Sequence, residues 1–304
     1  MRAYRYLHYD VFTDRPFEGN QLAVFPEPQG LSTDQMQRIT KEMNFSECTF
    51  IFPAEMADTG VRMRIFTPGE ELPMAGHPTI GSTYALVHEG VIAPRATEFV
   101  FGLGVGPTPV SLDWRGDALE FVWMTQQRPS FVGRMKDLGA FAAAIGLSAT
   151  DIPDGLPVEA ISCGVPFLIA PIASRDAVDR LAIDRRAYHD VCVASDLGDL
   201  PLFAFTTDRT SASGDEAVYS RMLGPQLGVA EDPATGSASG PLGCYLATHD
   251  VIPSAALAHH VSLQGVRMGR PSRVHISIEK TGDEITRVRV GGRSVLVGEG
   301  RLSW

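Results

Sequence analysis

The sequence predicts an α+β protein of two similar halves, each a curved sheet around a buried helix. Three observations point there. The 304 residues, 44% apolar and 20% charged, have the composition of a soluble globular chain, long enough for two domains of about 150 residues that each bury a core. Much of the chain reads as strands at short intervals with few helices between them. One short pattern also occurs twice, about half the chain apart.

In chain order, the first helix is predicted from Ser32 to Met43, where Met36, Ile39 and Met43 fall at helical spacing behind a Ser/Thr cap. An apolar strand follows at Thr49 to Phe52. The repeat then begins: RIFTP (Arg64 to Pro68) and HPTIGS (His77 to Ser82) in the first half, RMLGP (Arg221 to Pro225) and DPATGS (Asp232 to Ser237) in the second. Pro78 and Pro233 are 155 positions apart, and a small, apolar, buried helix is predicted to begin just after each. Gly102, Gly104 and Gly106 read as a strand turn, because the third glycine of a dinucleotide fingerprint falls at Pro107. Polar, proline-containing Gln126 to Pro129 reads as a linker between lobes 1–125 and 126–293. Met135, Leu138, Phe141, Ala142 and Ile145 predict a helix ending before Gly146. Near the end, Val274, Ile276 and Ile278 alternate with polar residues from Arg273 to Glu279, the period of a half-buried strand. Val288, Val290, Val295 and Val297 continue it, with Gly291-Gly292 read as the turn of an antiparallel hairpin.

Charge excludes some partners. The net charge of −10, with no run of Lys or Arg, leaves nothing to neutralise a nucleic-acid backbone or an anionic membrane. No stretch approaches the roughly 18 apolar residues of a membrane span, and MRAYRYLHYDVF shows no secretory signal pattern, so a cytoplasmic location is expected. Cys48, Cys163, Cys192 and Cys244 are far apart and read as free, mostly buried thiols. Phosphate-loop, serine-elbow and zinc-helix motifs are missing, and His259-His260 read as loop residues. No metal and no cofactor are expected.

The repeat has a chemical consequence. A helix N-terminus presents unpaired N–H groups and partial positive charge, so two facing one cleft would cradle a small carboxylate. The residue before each repeat proline is titratable, His77 in one copy and Asp232 in the other, as expected of side chains that contact a substrate. The structural alternative is a hydrogen-bonded loop histidine and an Asp N-cap. Glu47, in NFSECTFIF, lies between Phe45 and the apolar strand. Partial desolvation there would raise its pKa toward the range of a general acid/base, the alternative being a solvated glutamate at a strand start.

Seven segments in order, YDVFTDRPFEGNQLAVF, NFSECTF, RIFTPGEELPMAGHPTIGS, CGVPFLIAP, RMLGPQLGVAEDPATGSASG, QGVRMGRPSRVHISI and VGGRSVLVGEG, cover nearly the whole chain. Together they resemble the PhzF-like phenazine biosynthesis isomerase/epimerase family. That resemblance implies the diaminopimelate epimerase-like fold, two pseudo-symmetric lobes that are each a β-barrel-like sheet around a central helix, with the active site between them. It also implies that 294–304 return to the first lobe, and that the protein is a homodimer. The implied activity is cofactor-independent isomerisation of a small carboxylate, with trans-2,3-dihydro-3-hydroxyanthranilate the best named candidate. The resemblance carries the catalytic residues onto Glu47, His77 and Asp232, and substrate contacts onto Ser46, Gly76, Gly236 and Ser237. Related racemases use two cysteines at the two helix N-termini, positions held here by His77 and Asp232, so a single proton carrier is expected in place of two thiols. An epimerase of another small acid, or a non-catalytic metabolite-binding relic, are the alternatives.

Overall fold

The structure, a computed structural model, describes residues 2–208, 217–227 and 229–303, and the chain divides into two units. Unit 1 is Met1–Thr125 with Gly291–Trp304; unit 2 is Gln126–Val290.

Unit 1 contains β1 (Ala3–Val11), β2 (Asn20–Phe25), α1 (Thr33–Met43), β3 (Glu47–Pro53), β4 (Val61–Phe66), β5 (Glu71–Leu72), α2 (Gly76–His88), β6 (Glu98–Leu103), β7 (Gly106–Arg115) and β8 (Ala118–Gln126). Helix α1 begins where the Ser32 hydroxyl accepts from the Gln35 N–H while the Gln35 side chain accepts from the Ser32 N–H, and ends on left-handed Asn44. It buries Met36 and Ile39 against the β3 face, where Phe25 stacks on Phe50 at 4.8 Å and Phe66 meets Phe50 edge-on. Helix α2 is buried on nearly every side and packs against β1, β2 and β3. Its small residues allow this approach: a Cβ added at Gly81 would come within 2.6 Å of Leu22. The three spaced glycines lie at the β6–β7 turn, as predicted: Gly104 is in the turn, and Gly102 and Gly106 pair within the strands it joins.

Unit 2 contains β9 (Ser130–Arg134), α3 (Leu138–Ala144), β10 (Glu159–Ser162), β11 (Pro166–Pro171), α4 (Arg175–Arg180), α5 (Arg185–Ala194), β12 (Leu202–Thr206), β13 (Val218–Gly224), β14 (Val229–Asp232), α6 (Gly236–Thr248), α7 (Ser254–Leu257), β15 (His260–Gln264), β16 (Ser272–Thr281) and β17 (Glu284–Gly292). Helix α6 is buried almost throughout against β10, β11 and β16. Helices α3, α4 and α5 contribute to a second core with Phe141, Val178 and Tyr188. The last strand, β18 (Ser294–Ser303), belongs to unit 1, pairing antiparallel with β1 from Ala3 opposite Ser303 to Val11 opposite Ser294.

The duplication is plain in the pairings. Unit 1 joins β1 to β2 antiparallel, β2 to β3 parallel, β3 to β4 and β4 to β5 antiparallel, β4 to β6 parallel and β6 to β7 antiparallel. Unit 2 repeats the series with β10 through β16. The pair β18–β1 has its counterpart in β9–β10. The fold is α+β, with two lobes of one topology.

Four local expectations are corrected. Helix α2 starts at Gly76, so Pro78 is its third residue, where its missing N–H costs no helical bond; α6 starts three residues after Pro233. Met135 lies before α3, which begins after Asp137 caps the Ala140 N–H. Gly291 and Gly292 end β17 and make no turn of positive φ. They are required by contact, since a Cβ would lie 2.6 Å from Phe121 at Gly291 and 2.5 Å from Phe12 at Gly292. His260 opens β15 and is buried, while His259 is exposed beside His275.

Candidate active site

Left-handed Asn44 reverses the chain after α1, and Phe45 and Ser46 lead into Glu47, the first residue of β3. The Phe45 ring packs on His8 at 4.7 Å. Parallel pairing places Glu47 opposite Leu22. The buried hydroxyls of Thr49 and Ser82, 2.9 Å apart, tie β3 to α2. With strand and helix so fixed, Glu47 Oε2 lies 3.2 Å from His77 Nε2, their side chains 16% and 5% exposed.

Burial pushes the His77 imidazole down to about 3, against a smaller opposite pull from the Gln21 carbonyl. The ring is therefore neutral near pH 7, so its contact with Glu47 is not an ion pair. On the other side of the ring, Asn20 Nδ2 is 3.3 Å from His77 Nδ1. The start of α2 has no side-chain cap: Ala75 offers none, its first turn has no acidic residue, and Gly76 and His77 are buried. Its first N–H groups and dipole favour a carboxylate there.

In unit 2, Asp232 closes β14 and is 8% exposed. The hydroxyl of Thr235, which holds the N-cap position of α6, donates to Asp232 Oδ2 at 2.5 Å, so it does not cap the helix. Fully buried Gln264 fixes this connection: its Oε1 accepts from the Thr235 N–H, and its Nε2 donates to the Asp232 carbonyl at 2.7 Å and to Thr235 Oγ1 at 3.0 Å. Gly236 and Ser237 are the first two residues of α6. Thus Ser46, Glu47, Gly76 and His77 gather in unit 1, while Asp232, Gly236 and Ser237 share the β14–α6 connection in unit 2. Sequence reasoning missed Asn20, Thr235 and Gln264. Asn20 and Gln264 are buried amides at the ends of their strands, β2 and β15.

The unit 1 pair can take a proton on a shielded carboxylate and return it. Thiol chemistry has no such support. Burial raises the Cys48 thiol to about 12 and Cys192 to about 11, and Cys244 is the ninth residue of α6, far from its start. Among the described residues, no group of three or more His, Cys, Asp or Glu is placed to hold a metal ion, and no helix is long and apolar enough to cross a membrane.

The profile of the phenazine biosynthesis-like protein family matches residues 9–300. The trans-2,3-dihydro-3-hydroxyanthranilate isomerase of Pseudomonas aeruginosa is 35% identical, over 98% of this chain and 99% of that protein. The crystal structure of a PhzF-family phenazine biosynthesis protein from Bacillus anthracis superposes with a TM-score of 0.88 at 26% identity, covering both chains fully. A probable proline racemase from Agrobacterium radiobacter shares the fold at 11% identity, with a TM-score of 0.64 over 99% of this chain and 93% of that one.

Proposed function

The chain belongs to the phenazine biosynthesis-like family of isomerases, and from that premise we propose that Glu47 moves a proton within trans-2,3-dihydro-3-hydroxyanthranilate without a cofactor. The observation that carries this reading is the 3.2 Å contact between Glu47 Oε2 and the neutral, buried His77 imidazole at the uncapped start of α2. In the proposed reaction the Glu47 carboxylate accepts a proton from a ring carbon and the double bonds shift. Glu47 then returns the proton to a second carbon and is regenerated, so no electron acceptor is consumed. The first N–H groups of α2 face negative charge on the substrate and favour it as it grows. Solution as a homodimer is part of the proposal, and sedimentation measures it.

The test is incubation with trans-2,3-dihydro-3-hydroxyanthranilate, followed by ultraviolet absorbance, with Glu47→Gln alongside. Turnover by the parent and none by the variant supports the assignment. Absence of turnover by the parent removes the named substrate, and equal turnover by both removes Glu47 as carrier.

A further inference from the structure

We infer that Arg221 is a positioning residue for Asp232, its fork on Glu231 setting the register of β14. The inference rests on the proposed isomerisation, with Asp232 among the residues that the family resemblance places on the substrate. Strand β14 has four residues and pairs with β13 at Met222 opposite Asp232 and at Gly224 opposite Val229, with a register shift between them. Backbone pairing interrupted in this way leaves room for a slip. The Arg221 guanidinium removes that freedom: Nε donates to Glu231 Oε1 at 2.9 Å and Nη2 to Oε2 at 2.8 Å, the two parallel bonds of a planar fork. Its Nη1 donates to the carbonyls of Val178, Asp179 and Leu181 at the end of α4. Arg221 is 6% exposed, so the fork is anchored in the fold and does not swing in solvent.

Successive side chains of a strand leave on opposite faces. Glu231 goes to Arg221, and the next side chain, Asp232, goes to Thr235 at the start of α6. A slip of one residue would exchange the two carboxylates. The same device occurs in unit 1, and it accounts for the first part of the repeat. Arg64 and Arg221 are the first residues of RIFTP and RMLGP, and Arg64 forks Glu71, with Nε on Oε1 at 2.7 Å and Nη2 on Oε2 at 2.6 Å. Glu71 lies in the two-residue β5, opposite Phe66. Leu72 follows Glu71, whereas Asp232 follows Glu231. The fork therefore belongs to the shared frame, and unit 2 uses it to aim a carboxylate.

The test compares the full chain with Arg221→Lys, which keeps the charge and loses the fork, and with Glu231→Gln, which turns one acceptor into a donor; either variant decides alone if the other fails to fold. The first readout is hydrogen exchange of the Gln264 side-chain amide by 15N NMR, its signals identified by their loss in Gln264→Leu. This amide donates to the Asp232 carbonyl and to the Thr235 hydroxyl, so it reports the placement of β14 without turnover. Exchange is expected to be at least about 10-fold faster in each folded variant, and exchange at the parent's rate overturns the inference. On trans-2,3-dihydro-3-hydroxyanthranilate, kcat is expected to fall about 10- to 100-fold with KM little changed; unchanged kcat, with or without a raised KM, overturns it. Tyr219→Phe removes the 2.6 Å bond from Tyr219 to Asp179 of α4 and is expected to keep the parent's kcat and amide exchange. Losses equal to those of Arg221→Lys would assign the effect to α4 and overturn the inference. The exchange arm needs no substrate, so a wrong substrate and a wrong positioning residue give different results.

Discussion

Helices α2 and α6 are the same element twice, each of 13 residues, nearly all buried, with no side-chain cap at its start. Aligned on their first residues, Gly76 and Gly236, they are 160 positions apart, and His77 matches Ser237, not Asp232. Asp232 then falls level with Leu72, at the end of the short strand before the helix. At the head of β12, apolar Pro201 and Leu202 stand where the head of β3 carries Glu47. One copy holds a carboxylate against an imidazole; the other has a carboxylate bonded to a hydroxyl and fixed by a glutamine. The duplication preserved the frame, while the carboxyl–imidazole contact occurs in one half, the asymmetry on which the proposed single proton carrier rests.

Activity gives the largest contrast. Glu47→Gln is expected to cost about 10²- to 10⁴-fold in turnover and Asp232→Asn about 10- to 100-fold, as steady-state rates will show; equal losses would end the asymmetry. Stability sharpens it from the other side. Gln264→Leu leaves the Thr235 N–H and the Asp232 carbonyl without their buried partner, so denaturant unfolding should record a loss of about 2–4 kcal/mol.

Acid comes next. The pKa of His77 falls from 6.5 to about 3 and that of buried His260 to about 4. In both cases the unfolded chain binds the proton first as pH drops below about 6.5, so stability is present above that pH and lost below it, by up to about 1.4 kcal/mol per pH unit for each ring. Between about pH 7 and pH 5, His77→Gln and His260→Gln should each flatten the pH dependence of the unfolding midpoint. A slope unchanged in His77→Gln would mean that its ring titrates in the fold as it does in the unfolded chain. The smallest effect belongs to Thr49→Val, which removes the bond to Ser82 at about 1 kcal/mol in thermal unfolding, with a larger loss of activity if β3 then shifts from α2.

What the sequence made legible had a local physical signature. The Ser/Thr cap and the spacing of Met36, Ile39 and Met43 announced α1, and the alternation from Arg273 to Glu279 announced β16. Misreadings came where one residue type serves two purposes. Gly291-Gly292 looked like a turn because paired glycines usually relieve backbone strain, yet here they make room for aromatic rings. The prolines of the repeat matched at 155 positions while the helices are offset by 160, because Pro78 sits within a first turn and Pro233 before one. Glu47 and His77 were found through their motif surroundings. Asn20 and Gln264 were not, since a single amide at a strand end has no spacing to betray it, and its value lies in partners distant along the chain.

Strand β18 follows all of unit 2 in the chain and completes a sheet that β1 begins. During translation, unit 2 is fully synthesised while the β1 edge still waits, its peptide groups open to any passing extended segment. The half that carries Glu47 is therefore the later one to close, and a ribosome that stalls near residue 290 leaves that half with an exposed edge prone to aggregation.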